Sequence, residues 1–253
     1  IPMQGTRIEF LPDGQTLLVL DSAGSIAYFL LWDVETGALP GILTHRFTTF
    51  DEFFDAIGSA PPTYHLSAAN ITLSPDGTHF VAPALNGHIW LWDLATRQAT
   101  LIRQGPLESP RIPIRTLTFT PAGMALFYYY GNPAEGEVAG FYRLDLASGQ
   151  EMLLLEGGSR AFALAADGNT LAWLDEDGVV HLTTLTNLAS ETLLTLPLAP
   201  ELAVRQALNS RRAALQFTPD GTQLVVGGFA ALDTGQNALY VIDIGAAPAN
   251  DGK

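Results

Sequence analysis

The sequence contains no cysteine and a single lysine, Lys253. The first absence excludes a disulfide scaffold, a thiol nucleophile and any metal centre built on thiolates. The second leaves eleven scattered arginines as the remaining cations against 26 acidic residues, for a formal net charge of −14. Neutralising a phosphate backbone needs clustered Lys and Arg, so nucleic acid is excluded as a partner. An anionic membrane surface is disfavoured on the same ground. No apolar run approaches the ~18 residues that cross a bilayer, so no membrane insertion is expected. Charged residues are scarce at 15 %, whereas apolar residues reach 47 %. That composition can bury a sizeable core and excludes global disorder.

The length of 253 residues suits one large domain or two small ones. The chain starts at Ile1. A processed product or a piece of a longer polypeptide is the expectation. The compartment stays open between a secreted or extracytoplasmic protein and a domain of a larger cytoplasmic one.

What is present is a repeat. The phrase FLPDG at 10–14 returns as LSPDG at 73–77, FTPAG at 119–123, LAADG at 164–168 and FTPDG at 217–221. Successive copies are 63, 46, 45 and 53 residues apart. A second phrase follows each: FLLWDV at 29–34, IWLWDL at 89–94, FYRLDL at 141–146, VHLTTL at 180–185 and LYVIDI at 239–244.

The second copy shows the physics of one unit. Ile71 and Leu73 alternate into the turn Pro75-Asp76-Gly77. Proline presets φ, aspartate closes an Asx-type turn and glycine accepts positive φ. His79 to Leu85 is a second strand, Asn86-Gly87 a type I′ hairpin signal, and Ile89 to Leu94 a third strand rich in aromatic and β-branched residues. After the turn at 95–98, Ala99 to Ile102 completes a fourth.

A four-stranded antiparallel unit recurring every ~40–50 residues predicts an all-β chain, a β-propeller of about five blades. The SPDG-like turns together with Leu31-Trp32-Asp33 and Leu91-Trp92-Asp93 resemble the WD-repeat and related bacterial β-propeller families over nearly the whole chain. The resemblance implies a scaffold whose loops recognise partners. Units three and five carry Asp145 and Asp243 without the Trp, and unit four has Thr183-Thr184 in that place. The closer likeness is to generic bacterial propellers.

A single propeller domain over 1–253 is expected, with blades at about 6–47, 70–104, 115–157, 160–197 and 213–245. Insertions at 48–62 and 198–212 are expected to hold short helices. In the first, Phe50, Phe53, Phe54 and Ile57 recur at helical spacing and form one apolar face. The fifth unit ends its third strand at Ile244 with no fourth strand after it. Residues 1–7 are a candidate to supply one and close a five-bladed ring; the alternative is part of a larger propeller.

The repeated aspartates, Asp13, Asp76, Asp167 and Asp220 in the first turns and Asp33, Asp93, Asp145 and Asp243 at third-strand ends, are assigned to turn geometry and loop hydrogen bonds. Asp175-Glu176-Asp177-Gly178 is assigned to a hairpin turn rather than a calcium loop, and Gly227-Gly228 to a bulge or close backbone approach. The five histidines show no metal-binding spacing, and no nucleophile elbow or phosphate loop stands in a fitting context. No catalytic residue, metal site or cofactor is assigned. The candidate partner surface comprises Phe50, Phe53, Phe54, Ile57, Tyr129, Arg211 and Arg212; for the tyrosines at 128–130, packing between blades competes with a surface role.

A non-catalytic propeller that recognises a protein partner is the favoured function. The alternatives are a hydrolase or lyase, or its accessory domain, with a site in the central funnel, and a propeller that binds a glycan or other small molecule.

Overall fold

The computed structural model describes residues 7–23, 26–38, 41–43, 71–83, 87–105, 114–131, 138–159, 161–196, 214–230 and 237–245. The chain forms two compact units, Ile1–Met152 and Leu153–Lys253. Every element among the described residues is a strand. The helical stripe Phe50 to Ile57 and the pair Arg211-Arg212 lie outside the described residues, as do both predicted helical insertions.

The first sheet is a meander of β1 (Arg7–Phe10), β2 (Thr16–Ala23), β3 (Ile26–Asp33) and β4 (Gly41–Leu43). The second contains β5 (Thr72–Leu73), β6 (His79–Pro83), β7 (Ile89–Asp93) and β8 (Ala99–Arg103). The third comprises β9 (Ile114–Phe119), β10 (Ala125–Tyr130), β11 (Gly140–Asp145) and β12 (Glu151–Glu156). The fourth is β13 (Ala161–Leu164), β14 (Thr170–Leu174), β15 (Val179–Thr184) and β16 (Ala189–Thr195). The fifth has only β17 (Ala214–Phe217), β18 (Gln223–Ala230) and β19 (Asn237–Asp243). The fold is an all-β propeller architecture of five antiparallel blades.

The repeated phrases build these sheets in a recognisable way. The PDG-type turn joins first to second strand. Its glycine has positive φ in every copy: Gly14, Gly77, Gly123, Gly168 and Gly221 lie between 65° and 71°. Its aspartate holds the turn from the side chain. Asp13 Oδ1 accepts the backbone N–H groups of Gln15 and Thr16, both at 2.8 Å, and Asp167 Oδ1 does the same for Asn169 and Thr170.

The sheets pack through alternate side chains. Between the first and second sheets, Phe80 stacks on Trp92 with ring centroids 4.8 Å apart, and Phe29 meets both rings edge-on at 4.6 and 5.2 Å. All three rings are fully buried. Between the second and third sheets, Val81 and Ile89 pack with Leu126, Tyr128 and Tyr130. In the second unit, Leu174 and Val180 of the fourth sheet pack with Leu215, Leu224 and Val226 of the fifth. The third sheet is covered on both faces, since all six residues of β10 are buried.

Candidate functional site

The turns after the third strands carry the clearest electrostatics. Asp33 Oδ1 accepts the N–H of Thr36 at 2.7 Å, Asp93 Oδ1 that of Thr96 at 2.7 Å, and Asp145 Oδ1 that of Ser148 at 2.8 Å. These bonds favour the ionised carboxylate and hold each pKa below the usual aspartate range. In the first turns, Asp76 is drawn down to about 2, first by the Ser74 hydroxyl at 2.6 Å and then by the N–H of Thr78. The recurring acids are therefore turn-formers, as their positions in the repeat imply.

Two members of the series depart from it. Thr184 stands where the other units have Asp, and Asn169 of the preceding turn accepts the Thr186 N–H instead. Asp243, expected to bond loop backbone, accepts the Gln223 side-chain amide at 2.7 Å.

The acidic stretch Asp175 to Gly178 is a hairpin turn. Asp175 Oδ1 accepts the N–H groups of Asp177 and Val179, and Oδ2 stands 2.8 Å from His181 Nε2. His181 lies flat on Trp173 at 4.2 Å, and the Trp173 indole N–H reaches Thr183, which bonds Ser190. Among the described residues no group of three or more His, Asp or Glu could hold a metal ion.

Tyr128, Tyr129 and Tyr130 are all buried. Tyr129 is 4 % exposed and packs on Phe141 at 5.3 Å, which leaves it no surface to offer a partner. Tyr128 and Tyr130 share the other face of β10 and receive Arg103, a contact that nothing in the spacing of the sequence announces. The Arg103 Nε–H bonds Tyr128 Oη at 2.9 Å and Glu151 Oε1 at 2.7 Å, while Nη1 donates to Gly87 O at 2.8 Å. Its guanidinium lies over the Tyr130 ring at 4.8 Å. Beside it, buried His88 accepts the Gly105 N–H on Nδ1 at 2.7 Å. Burial, and then the Arg103 charge, push the His88 pKa below the usual imidazole range. These bonds tie the second sheet to the third, which makes the cluster a clamp between them.

Exposed apolar side chains mark a different kind of surface. On β1, Ile8 and Phe10 are each 58 % exposed on the face that carries Val19 and Leu17, turned away from the second sheet. On β19, Leu239 is 69 % and Val241 55 % exposed, while Tyr240 and Ile242 pack into the core shared with the fourth sheet. Gly227 and Gly228 fall at the register shift of β18 against β19, the bulge that their pairing in the sequence predicts. Neither exposed apolar pair was legible as a site, because strand alternation alone does not say which face of a terminal sheet is covered.

No protein-family model matches the chain, and no curated relative does. Its structure is similar to the crystal structure of TolB from Acinetobacter baumannii, with a TM-score of 0.62 at 18 % identity. The match covers 95 % of this chain and 52 % of that one, so the chain spans about half the length of the structure it resembles. At this identity the likeness extends to the β-propeller fold alone. No helix among the described residues is long and apolar enough to cross a membrane.

Proposed function

We propose that the chain is a non-catalytic recognition propeller that binds a protein partner. The observation that carries this reading is the pair Ile8 and Phe10, side by side on one face of β1 and each 58 % exposed. Large apolar side chains exposed together on one strand are what a protein interface uses, because covering them gains the hydrophobic free energy that solvent exposure forfeits. The polar clusters around Arg103 and His181 are bonded to their own neighbours, which fits a structural use better than a reacting one.

A photo-crosslinking phenylalanine analogue at position 10 tests the reading. One protein identified by mass spectrometry is expected, and its capture falls when Ile8→Lys is added. Capture indifferent to Ile8→Lys, or capture of no protein, contradicts it.

A further inference from the structure

In all five sheets the residue after the third strand bonds back to the residue just before the second strand: Val34, Leu94, Leu146, Leu185 and Ile244 donate their N–H to the carbonyls of Gln15, Thr78, Met124, Asn169 and Thr222. One residue earlier the backbone points the other way. The N–H groups of Asp33, Asp93 and Asp145 donate to Ala38, Gln98 and Gln150, where the chain returns as a fourth strand. Asp243 occupies that place in the fifth sheet. Among the described residues its N–H has no such acceptor, and β19 is the last strand of its sheet.

The backbone also differs there. The residue four positions after the third-strand end has positive φ in the first four units: Gly37 at 68°, Arg97 at 59°, Gly149 at 69° and Leu188 at 56°. In the fifth, positive φ comes at Gly245, two positions after Asp243. Alternation from Ile244 then directs the N–H and C=O groups of Leu239, Val241 and Asp243 away from β18. Leu239 and Val241 also have exposed side chains.

We infer that the free edge of β19 takes up an extended segment of a partner polypeptide as an antiparallel fourth strand. The sibling sheets show what fits there. The strands that fill the place are β4, β8, β12 and β16, and each carries consecutive aliphatic residues: Ile42-Leu43, Leu101-Ile102, Leu153-Leu154-Leu155 and Leu193-Leu194. The partner segment is thus about three to seven residues long with two or three adjacent aliphatic side chains, held by main-chain bonds and selected by those side chains. This surface belongs to the fifth sheet alone and is independent of the Ile8 and Phe10 reading.

The test uses the whole chain and a fluorescent peptide with the sequence of residues 189–195, followed by anisotropy. Saturable binding is expected. Peptides N-methylated on one alternate set of residues should bind at least tenfold more weakly, and those methylated on the other set should bind nearly as well, since only one set faces β19. Val241→Pro removes an outward N–H without touching the β18 ladder and should weaken binding to a similar degree. Absence of saturable binding overturns the inference. So does equal sensitivity to both methylation patterns, or pairing of β19 with a second copy of the chain, seen as a dimer by light scattering.

Discussion

Pro12 of the first sheet's turn lies directly against Gly77 of the second's: a Cβ built on Gly77 would stand 2.0 Å from Pro12 Cγ. The PDG turn thus has two tasks, reversing its own strand and seating the turn of the preceding sheet. Gly14 has the same backbone conformation, with φ of 65°, but a Cβ added there would meet nothing within 4 Å. Gly14→Ala should lose about 1–2 kcal/mol, the cost of the left-handed conformation. Gly77→Ala bears that cost plus the clash, and chemical denaturation should place it lower by a further ~1–3 kcal/mol. Equal losses would mean that Pro12 moves aside freely.

Leu188 holds φ of 56°, where its siblings at 37 and 149 are glycine. Its side chain is 45 % exposed, so it forfeits little packing when removed. Leu188→Gly should raise stability by up to about 1 kcal/mol, because relief of the left-handed strain outweighs glycine's extra chain entropy. A thermal melt shifted downward would contradict this.

Arg103 is the most connected cation described. Arg103→Met keeps much of the stem but removes the donors to the Gly87 carbonyl and the Tyr128 hydroxyl, at a cost of roughly 2–4 kcal/mol. Glu151→Gln retains an acceptor for Arg103 and should cost less than about 1 kcal/mol, as befits a partly exposed pair. Urea unfolding of both variants gives the comparison.

Acid should unfold the chain through its turns. Asp13, Asp33, Asp76, Asp93, Asp145 and Asp220 all titrate below the ordinary 3.8, Asp76 at about 2. A depressed folded-state pKa contributes stability that is complete above the unfolded value and is lost as pH falls through the folded one. Stability should therefore decline from about pH 4 toward pH 2. His88, also depressed, adds an earlier decline that starts as pH drops below 6.5, because the unfolded chain takes up the proton first. Guanidinium titrations across pH 7 to 2 should show both steps, with the upper one absent in His88→Gln.

The repeat made most of the fold legible. Five PDG-like turns and five third-strand phrases identify the sheets. The Arg103 clamp was not legible, because its partners Gly87, Tyr128 and Glu151 are separated from it by up to 48 residues in sequence. The tyrosines 128 to 130 illustrate the opposite case. Alternation places them on two faces, but only their burial in the structure shows that neither face is open. Asp243 shares its phrase with Asp33, Asp93 and Asp145, so the sequence alone assigned it their turn. In the structure positive φ comes earlier, at Gly245, and Asp243 accepts the Gln223 side-chain amide instead.

Amide hydrogen exchange along β19, read residue by residue by NMR, tests most directly whether the repeat is completed in four sheets and left open in the fifth. The N–H groups of Tyr240, Ile242 and Ile244 should be protected by β18, and those of Leu239, Val241 and Asp243 should exchange rapidly. Uniform protection of all six would contradict the account, because it would mean that the edge is already paired.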